Sequence, residues 1–385
     1  MNRLSMFAYG FIVFCFVFCS PKHNKSSETN HSDLEGLQIK KHILPEADIL
    51  NLKSYYLSDY YQDTTEWLYG YNFKLHALDC FNLRNGKATQ LSFYTEGHSA
   101  VISPITGLMV CSPDSIWVVD ATQSALLLDG DGELLRKVKL SSNLPSGQSV
   151  MVERNYATST TDLYYDKVRH SLLFGIRNAS THPVSFGVRE VFLSDSIPPV
   201  TYALQPSVEI PDIGNGDYAN MNRPNITFTS DKILYNYPVE SHVYVMDRKS
   251  GKTEIHEAYS RFCKNKADKC ESKEDYTKWE KHGVVNPHFY EVGYLPARDM
   301  YIRLHVGEEE YNTSKKLNDI LAGRKLYLTV FDNQFNILGE SELATKRYSL
   351  LTGWCMTSDA LLLYVDNPLS SENKEENFEY DELRW

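Results

Sequence analysis

Short apolar stretches that end in an acidic residue and a glycine recur along the chain. Residues 124–128 and 133–140 flank the sequence Asp-Gly-Asp-Gly at positions 129–132, and both flanks alternate in part between apolar and polar residues. Alternation with a period of two is typical of β-strands, and Asp-Gly favours the positive φ angles of a two-residue hairpin turn. The pattern predicts a β-hairpin.

The same acidic residues also resemble the start of an EF-hand calcium loop. Such a loop needs oxygen ligands at positions 1, 3 and 5, a glycine at position 6 and a glutamate at position 12. Counted from Asp129, Asp131 and Glu133 stand at positions 3 and 5, but Leu134 and Leu140 occupy positions 6 and 12. The loop lacks its sharp turn and its last ligand, so we predict a hairpin and no metal site.

Four turns of this type share an apolar run, an Asn or Asp that caps the turn, and a Gly or Asn that closes it in the left-handed conformation. The capping residues are Asn82, Asp129, Asp247 and Asp332, and the closing residues are Gly86, Gly132, Gly251 and Asn336. The caps are 47, 118 and 85 residues apart, and propeller blades repeat about every 40 to 50 residues. With further strand pairs in the gaps, the chain is predicted to be all-β: a single β-propeller of about six blades.

Two segments complete this picture. Residues 256–283 are charged, lack proline and consist mostly of good helix formers, which predicts a short helical insertion between blades. The last nine residues, NFEYDELRW, alternate as a strand does. We expect this strand to pair with the segment around Ile43 to Leu50 and close the ring, because a propeller must protect its first and last edges.

Composition agrees with a globular β-protein. The chain has 385 residues, 42% of them hydrophobic, with 26 Tyr and 17 Phe, and aromatic side chains suit a pleated, half-buried surface. The formal net charge is −11. Nucleic-acid binding depends on Lys and Arg replacing phosphate counterions, so the charge argues against a nucleic-acid partner.

The N-terminus has the pattern of an export signal. Asn2 and Arg3 precede an apolar run from Met6 to Phe18, which is followed by Cys19 and a polar segment. This order predicts a lipoprotein signal over residues 1–19 with lipidation at Cys19, a flexible linker over 20–42 and the propeller over 43–385. An ordinary signal peptide or a retained anchor are the alternatives. Export permits disulfides, and a local bridge between Cys263 and Cys270 is predicted.

The common catalytic motifs do not occur in the sequence: no nucleophile elbow, P-loop, dinucleotide fingerprint or zinc-protease motif. Two places are candidates for ligand binding. The polar loop over residues 211–225 includes Asp217 and Arg223 among residues that could line a mouth. Tyr301, Arg303 and His305 alternate along one predicted strand and share a face, which would suit an anionic or sugar ligand if that face lined the central channel.

Three segments carry a family resemblance: ISPITGLMVCSPDSIWVVD (residues 102–120), YEVGYLPARDMYIRL (290–304) and YVDNPLSSENKEENFEYDELRW (364–385). With the lipoprotein-like start, they resemble Bacteroidota lipoproteins that carry a domain of unknown function and form six-bladed propellers of the TolB-like or NHL-like type. The resemblance covers roughly residues 45–385. It implies the fold and the membrane anchor, and it transfers no catalytic residue.

The sequence therefore predicts an exported, lipid-anchored propeller that acts as a non-enzymatic binding or scaffold module of the bacterial cell envelope, with a protein or glycan ligand and no cofactor. A carbohydrate-active or other enzyme with its site in the channel is the alternative. A secreted glycoprotein is a third reading, because Asn178 and Asn225 begin acceptor sequons.

Overall fold

The structure is a computed structural model that describes residues 33–44, 53–142, 144–194, 196–349, 353–370 and 378–385. Within these ranges the chain forms 27 β-strands in six sheets and two α-helices, α1 (Tyr276–Val285) and α2 (Leu317–Gly323). The strands are, in chain order, β1 Gln38–Leu44, β2 Ser58–Gln62, β3 Glu66–Asn72, β4 Ala77–Asn82, β5 Ala88–Ser92, β6 Gly107–Ser112, β7 Ser115–Val119, β8 Ser124–Leu128, β9 Leu134–Lys139, β10 Gln148–Met151, β11 Glu153–Asn155, β12 Ser159–Thr161, β13 Tyr164–Asp166, β14 Ser171–Asn178, β15 Ser185–Phe192, β16 Val200–Ala203, β17 Asn225–Phe228, β18 Lys232–Asn236, β19 Val243–Asp247, β20 Thr253–His256, β21 His288–Leu295, β22 Met300–Val306, β23 Leu326–Phe331, β24 Ile337–Glu342, β25 Trp354–Met356, β26 Leu361–Tyr364 and β27 Phe378–Arg384.

Each sheet is one blade of a six-bladed β-propeller, as the repeats predict. Blade 1 contains β2 to β5, blade 2 contains β6 to β9, and blade 3 contains β10 and β13 to β16. Blade 4 contains β11, β12 and β17 to β20, blade 5 contains β21 to β24, and blade 6 contains β25 to β27 with β1. First strands of neighbouring blades lie side by side, β2 next to β6 and β25, and β21 next to β17 and β25. They form the inner ring of the propeller.

The hydrophobic core is divided among the spaces between blades. Leu126 and Leu128 of β8 face blade 1, whereas Ala125 and Leu127, which alternate with them, face blade 3. In the same way Leu172 in β14 faces blade 2, and Leu173 faces blade 4. Because both faces of a blade are buried, its central strands are apolar runs with little alternation, which is why the sequence predicts strands here without indicating their orientation.

The ring closes by pairing the two ends of the described chain. Strand β27 lies between β26 and β1, and its register places Lys41 opposite Asp381 and Ile43 opposite Glu379. Closure between the C-terminal strand and an N-terminal segment is therefore confirmed. The N-terminal strand starts at Gln38, so residues 38–42, which the sequence assigns to the linker, belong to blade 6.

The four capped turns form as predicted, with one difference. Asn82 accepts hydrogen bonds from the amides of residues 84 and 85, and Asp129 accepts from residues 131 and 133. Gly86, Gly132 and Gly251 have the positive φ angles that close these turns. In the fourth turn the left-handed residue is Phe335 (φ 63°) and not Asn336. The side chain of Asn336 is instead held by Asp332, at 2.8 Å.

The insertion is helical only in its last part. Helix α1 begins after Asp275, whose carboxylate accepts from the amides of Thr277 and Lys278, whereas residues 257–275 have no helix. In that stretch Ser260 and Asn265 bond to nearby backbone: Asn265 accepts from the amide of Ser260 at 2.6 Å. Such local side-chain bonds compete with helix formation, and helix propensity alone misses them. Neither α1 nor α2, the α-helices of the described residues, is long and apolar enough to cross a bilayer.

The cysteines separate into buried and partly accessible thiols. Cys80, Cys111 and Cys355 are buried, as expected for structural cysteines. Cys263 and Cys270 are both free, so the bridge predicted between them is not formed in this structure. Cys270 instead contacts the carbonyl oxygen of Ser272 at 3.1 Å. Cys19 lies outside the described residues.

The closing strand is held by a buried ion pair, and this generates a prediction. Arg347 binds both carboxylate oxygens of Asp381 at 2.5 and 2.9 Å, and Tyr348 donates to the same carboxylate at 2.7 Å. Removing one partner of a buried pair costs about 3–5 kcal/mol, because the other charge is left uncompensated. We expect Asp381→Asn to lower the free energy of unfolding by about 3 kcal/mol, measured by denaturant unfolding.

Glu379→Gln is the matched control. Glu379 also binds Arg347, at 2.7 Å, but its side chain is 21% exposed, and its loss should cost less than about 1 kcal/mol. Equal losses for the two variants would show that the buried Asp381 is not the anchor of the strand.

Candidate functional site

The two helices cover one side of blade 5. Helix α1 leads directly into β21, and α2 stands between β22 and β23. The two helices contact each other, and α1 also contacts the short 3-10 turn at Ala219–Met221. Neither helix belongs to a blade. A pocket lies between the two helices and the inner strand β21.

That pocket is a cavity of about 150 Å³. Aromatic and aliphatic side chains form most of its lining, with a small number of polar groups. The lining residues are Tyr156, Ala157, Asn220, Tyr276, Trp279, Glu280, Gly283, His288, Tyr290, Leu317, Leu321 and Arg324. A concave, mainly apolar cavity with few polar groups is the usual form of a small-molecule site.

Tilted and edge-on contacts between aromatic rings support the inner wall. Tyr156 lies in the turn between β11 and β12, and its ring centroid is 3.8 Å from that of Trp354. Tyr290 lies against the same Trp354 with a centroid separation of 5.1 Å. Gly353 allows this packing: it has φ +93°, and a Cβ there would lie 2.8 Å from the Tyr156 ring. The wall is built from three blades and does not correspond to any local motif.

Two buried polar atoms in this wall have no hydrogen-bond partner: the hydroxyl of Tyr156 and Nε2 of His288. Tyr156 is 2% exposed and His288 is 4% exposed. Burial, together with the nearby positive charge of Arg324, lowers the pKa of His288 to about 3, so its imidazole is neutral. Both atoms are almost fully enclosed by protein, although buried polar groups are normally paired.

Arg324 is buried at the base of α2 and binds backbone. Its guanidinium donates to the carbonyl oxygens of Gly283 and Asn286 at 2.8 Å each, and also to that of Gly307. These bonds connect α1, the start of β21 and α2. The Arg324 side chain therefore positions the cap, and several of its donors are already in use.

A second polar cluster lies on the inner strands of the ring. Arg154 donates to Asp162 at 3.0 Å, and Thr160 donates to Oε2 of Glu291 at 3.0 Å, while Oε1 of Glu291 has no partner. Burial raises the pKa of Glu291 to about 7 and that of Asp59 to about 6. In the described part of the chain, no group of His, Cys, Asp or Glu has the arrangement needed to hold a metal ion.

Tyr301, Arg303 and His305 do share one face of β22, but this face is buried between blades 4 and 5. Arg303 is 1% exposed, donates to the carbonyl oxygens of Ser241 and Ala258, and lies over the Phe289 ring at 4.6 Å. These three side chains therefore line neither the central channel nor the solvent-exposed surface. Side chains of a second strand point towards the neighbouring blade and not towards the axis.

The predicted polar loop lies beside the pocket but contributes a different residue. Asp217 forms ion pairs with Lys269 (3.2 Å) and Lys273 (2.5 Å), which hold the insertion against the loop. Arg223 pairs with Glu153 at 2.9 Å. Asn220, which the sequence did not single out, lines the cavity.

Sequence reasoning missed the main lining residues Tyr156, Trp279, His288, Tyr290 and Arg324. One signal was present: Trp279 is a large aromatic residue in a charged helix, which predicts a contact with another element. The sequon at Asn225 is also explained by the structure. Its side chain is 1% exposed and accepts from the amide of Thr160 at 2.8 Å, so it is not accessible to glycosylation.

These features define a six-bladed β-propeller with a helix-capped pocket, and comparisons place it in a known group. Residues 201–342 match the family model described as "Domain of unknown function (DUF4221)". The matched segment includes both helices and most of the pocket. This confirms the resemblance to a propeller family of unknown function.

Solved structures agree with this fold. A member of the DUF4221 family from Bacteroides vulgatus matches with a TM-score of 0.75 and 13% identity, over 93% of this chain and 99% of that chain. A Bacteroides fragilis protein described provisionally as exported matches with a TM-score of 0.51 and 13% identity, over 92% and 97%. Among curated proteins, none matches this sequence. Identities this low show the fold alone.

The buried Glu291 carboxyl predicts a pH dependence of stability. Its pKa rises from 4.5 to about 7 on folding, which corresponds to roughly 3 kcal/mol. The folded state holds this proton more tightly, so its contribution is present below about pH 4.5 and is lost as the pH rises to 7. The free energy of unfolding of Glu291→Gln, minus that of the wild type, should therefore rise by about 3 kcal/mol as the pH is raised from 4.5 to 8. Urea unfolding of both proteins at each pH measures this difference.

The control is Glu309→Gln, since Glu309 is exposed, and its difference from the wild type should not change with pH. Other titrating groups, such as His288, are common to all three proteins and cancel in the comparison. A constant difference between Glu291→Gln and the wild type across this range would show that Glu291 does not hold a proton in the folded state.

Proposed function

We propose that this protein is an exported, lipid-anchored binding protein of the bacterial cell envelope, and that it binds a small organic ligand in the pocket between α1, α2 and β21. The observation that carries the proposal is the cavity of about 150 Å³ with aromatic walls. The cavity lies between the closed ring and two helices, and these helices take no part in closing the ring. Binding groups are commonly carried by such added elements on a rigid scaffold.

The chemistry of the lining supports binding more than catalysis. Among the described residues that line the cavity, none is Ser, Thr, Cys or Lys, and Glu280 is the single carboxylate, whereas glycoside hydrolysis generally uses a pair. Nε1 of Trp279 already donates to the carbonyl oxygen of Ser272 at 3.0 Å. Burial lowers the pKa of His288 to about 3, far below the near-neutral pKa that suits a general base. The protein or glycan partner predicted from the sequence stays a prediction.

Export and anchoring rest on the N-terminal pattern. The apolar run, Cys19 and the polar segment that follows have the order of a lipoprotein signal. The similar Bacteroides fragilis protein that is described provisionally as exported supports the same location. The first described strand begins at Gln38, which leaves a polar tether between a lipid on Cys19 and the ring.

Filling the cavity tests the binding proposal. Leu321 lies on α2 and lines the pocket, so Leu321→Trp should occupy the space with an indole ring. We expect ligand-observed NMR with a library of one-ring and two-ring organic fragments to detect binders of the wild type, and Leu321→Trp to weaken them at least about tenfold, a loss of about 1.4 kcal/mol.

Leu135→Trp is the matched control, because Leu135 is 57% exposed on blade 2, and it should bind every fragment as the wild type does. If no fragment binds the wild type, or if both Trp variants bind equally well, the pocket is not the ligand site.

The anchor has its own test. Cys19→Ser removes the only thiol that directly precedes the polar segment, whereas Cys15→Ser changes a cysteine within the apolar run. In the native bacterium we expect Cys19→Ser to abolish acyl-lipid labelling and detergent-phase partitioning, and Cys15→Ser to keep both. Unchanged mass and partitioning of Cys19→Ser would exclude lipidation at this residue.

A further inference from the structure

The interface between blades 6 and 1 is packed along one part and open along the other. In the packed part Phe81 of β4 stacks on Phe378 of β27, and Tyr55 lies in the same apolar cluster. The open part is a groove of about 810 Å³ at the end of the blades where the β2–β3 and β25–β26 turns lie. We propose that this seam groove binds a neutral, hydroxyl-rich ligand, a short oligosaccharide. It shares no lining residue with the pocket at the helices, so the inference goes beyond the proposed function.

Two polar walls face each other across the seam groove. On blade 6 it is lined by three cross-strand pairs of β1 and β27: Gln38 with Arg384, Lys40 with Glu382, and His42 with Tyr380. On blade 1 the lining includes Tyr60, Gln62 and Arg84. Removing charged groups from water is costly unless they are fully paired. These walls therefore do not close on each other as the apolar faces of the blades do.

The size of the groove suits a chain of a few sugar rings. Small-molecule sites usually have volumes of about 300–1,000 Å³, and the seam groove lies within this range. Lys40 and Arg84, one on each wall, are exposed, so a ligand can enter from solvent. A single sugar ring would leave most of the groove empty, which favours an oligosaccharide over a monosaccharide.

The charges of the lining favour a neutral ligand. Three basic side chains are balanced by three acidic ones: Lys40, Arg84 and Arg384 by Glu66, Asp359 and Glu382. Several of them already form pairs: Arg384 with Asp359 at 2.8 Å, and Arg84 with Glu66 at 3.6 Å. An anion would meet three carboxylates, and a cation would meet three basic groups. A neutral ligand avoids both repulsions.

Hydroxyl groups match the mixture of donors and acceptors on the walls. An ionised carboxylate can accept about four hydrogen bonds and a guanidinium has five N–H donors, so Asp359 and Arg384 keep free capacity beyond the pair that they form. A hydroxyl group both donates and accepts. A ligand with many hydroxyls can therefore bind basic and acidic side chains in any order along the groove.

Aromatic surface lies between the charged groups. Tyr60 is half-buried on the blade 1 wall, and on the opposite wall the His42 ring lies flat against Tyr380, with a centroid distance of 4.7 Å. A sugar ring carries C–H groups on its faces as well as hydroxyls at its edge, and its C–H faces gain from burial against such rings. This combination favours a sugar over a solute that is polar on all sides.

Neutral and charged trisaccharides test the ligand class. The full-length protein is titrated by calorimetry with maltotriose, cellotriose and mannotriose, and with trigalacturonate and the chitosan trimer as anionic and cationic relatives. We expect at least one neutral trisaccharide to bind, and both charged ones to bind at least about tenfold more weakly, because like charges oppose each of them in the groove. Failure of all neutral trisaccharides to bind, or tighter binding of a charged one, would overturn the proposal.

Two double variants locate the site. Lys40→Ala with Arg84→Ala removes one donor from each wall, and the affinity for the neutral trisaccharide should fall at least about tenfold. Lys41→Ala with Lys87→Ala is the matched control, because it removes the same charge at neighbouring positions that do not line the groove. All four side chains are exposed, so both variants should keep the wild-type unfolding midpoint. Equal losses of affinity would show that the saccharide does not lie in the seam groove.

Leu321→Trp separates this proposal from the proposed function. It fills the pocket at the helices and should leave trisaccharide binding unchanged, whereas the Lys40 and Arg84 double variant should bind organic fragments as the wild type does. Loss of trisaccharide binding in Leu321→Trp would place the sugar in the pocket and overturn the groove. Failure of the fragments alone would remove the pocket proposal and leave the groove result intact.

Discussion

The pairing of β1 with β27 is the interaction on which the rest of the structure depends. Seven residue pairs, from Gln38 with Arg384 to Leu44 with Phe378, join the N-terminal strand to the last one. An open ring would expose two sheet edges and separate blade 6 from blade 1, where Phe81 and Phe378 stack at 4.8 Å. Because each blade is buried on both faces by its neighbours, closure brings all six interfaces together at once.

Burial on both faces also explains why charged side chains lie inside the ring. Arg248 lies between blades 3 and 4 and binds Asp166 and Glu190 at 2.9 and 3.0 Å. Arg303, between blades 4 and 5, binds backbone carbonyl groups in the same way. Each of these cations has hydrogen-bond partners where it lies, which offset the cost of burying its charge. They connect blades, and a polar residue on a central strand is therefore weak evidence for a binding site in this architecture.

The pocket differs from the ring in its construction. The ring supplies a fixed wall of Tyr156, Tyr290 and His288, and two helices outside the blades supply the opposite side. Those helices are secured by buried bonds from Arg324 and by exposed pairs such as Lys273 with Asp217. Exposed ion pairs contribute little stability, so the cap is the part of the pocket that can adapt most easily to a ligand.

The sequence by itself determined the local structure and the outline of the fold: the capped hairpins at Asn82, Asp129 and Asp247, a propeller of about six blades and the closure by the last strand. These follow from turn chemistry and hydrophobic runs, which act over a few residues. The tertiary structure alone decided which side of each strand meets which neighbour, and so it buried Tyr301, Arg303 and His305. It also brought Tyr156, His288 and Tyr290 to one wall, although Tyr156 lies more than 130 residues before the other two in the sequence. Their proximity depends on the curvature of the closed ring, which no local pattern encodes.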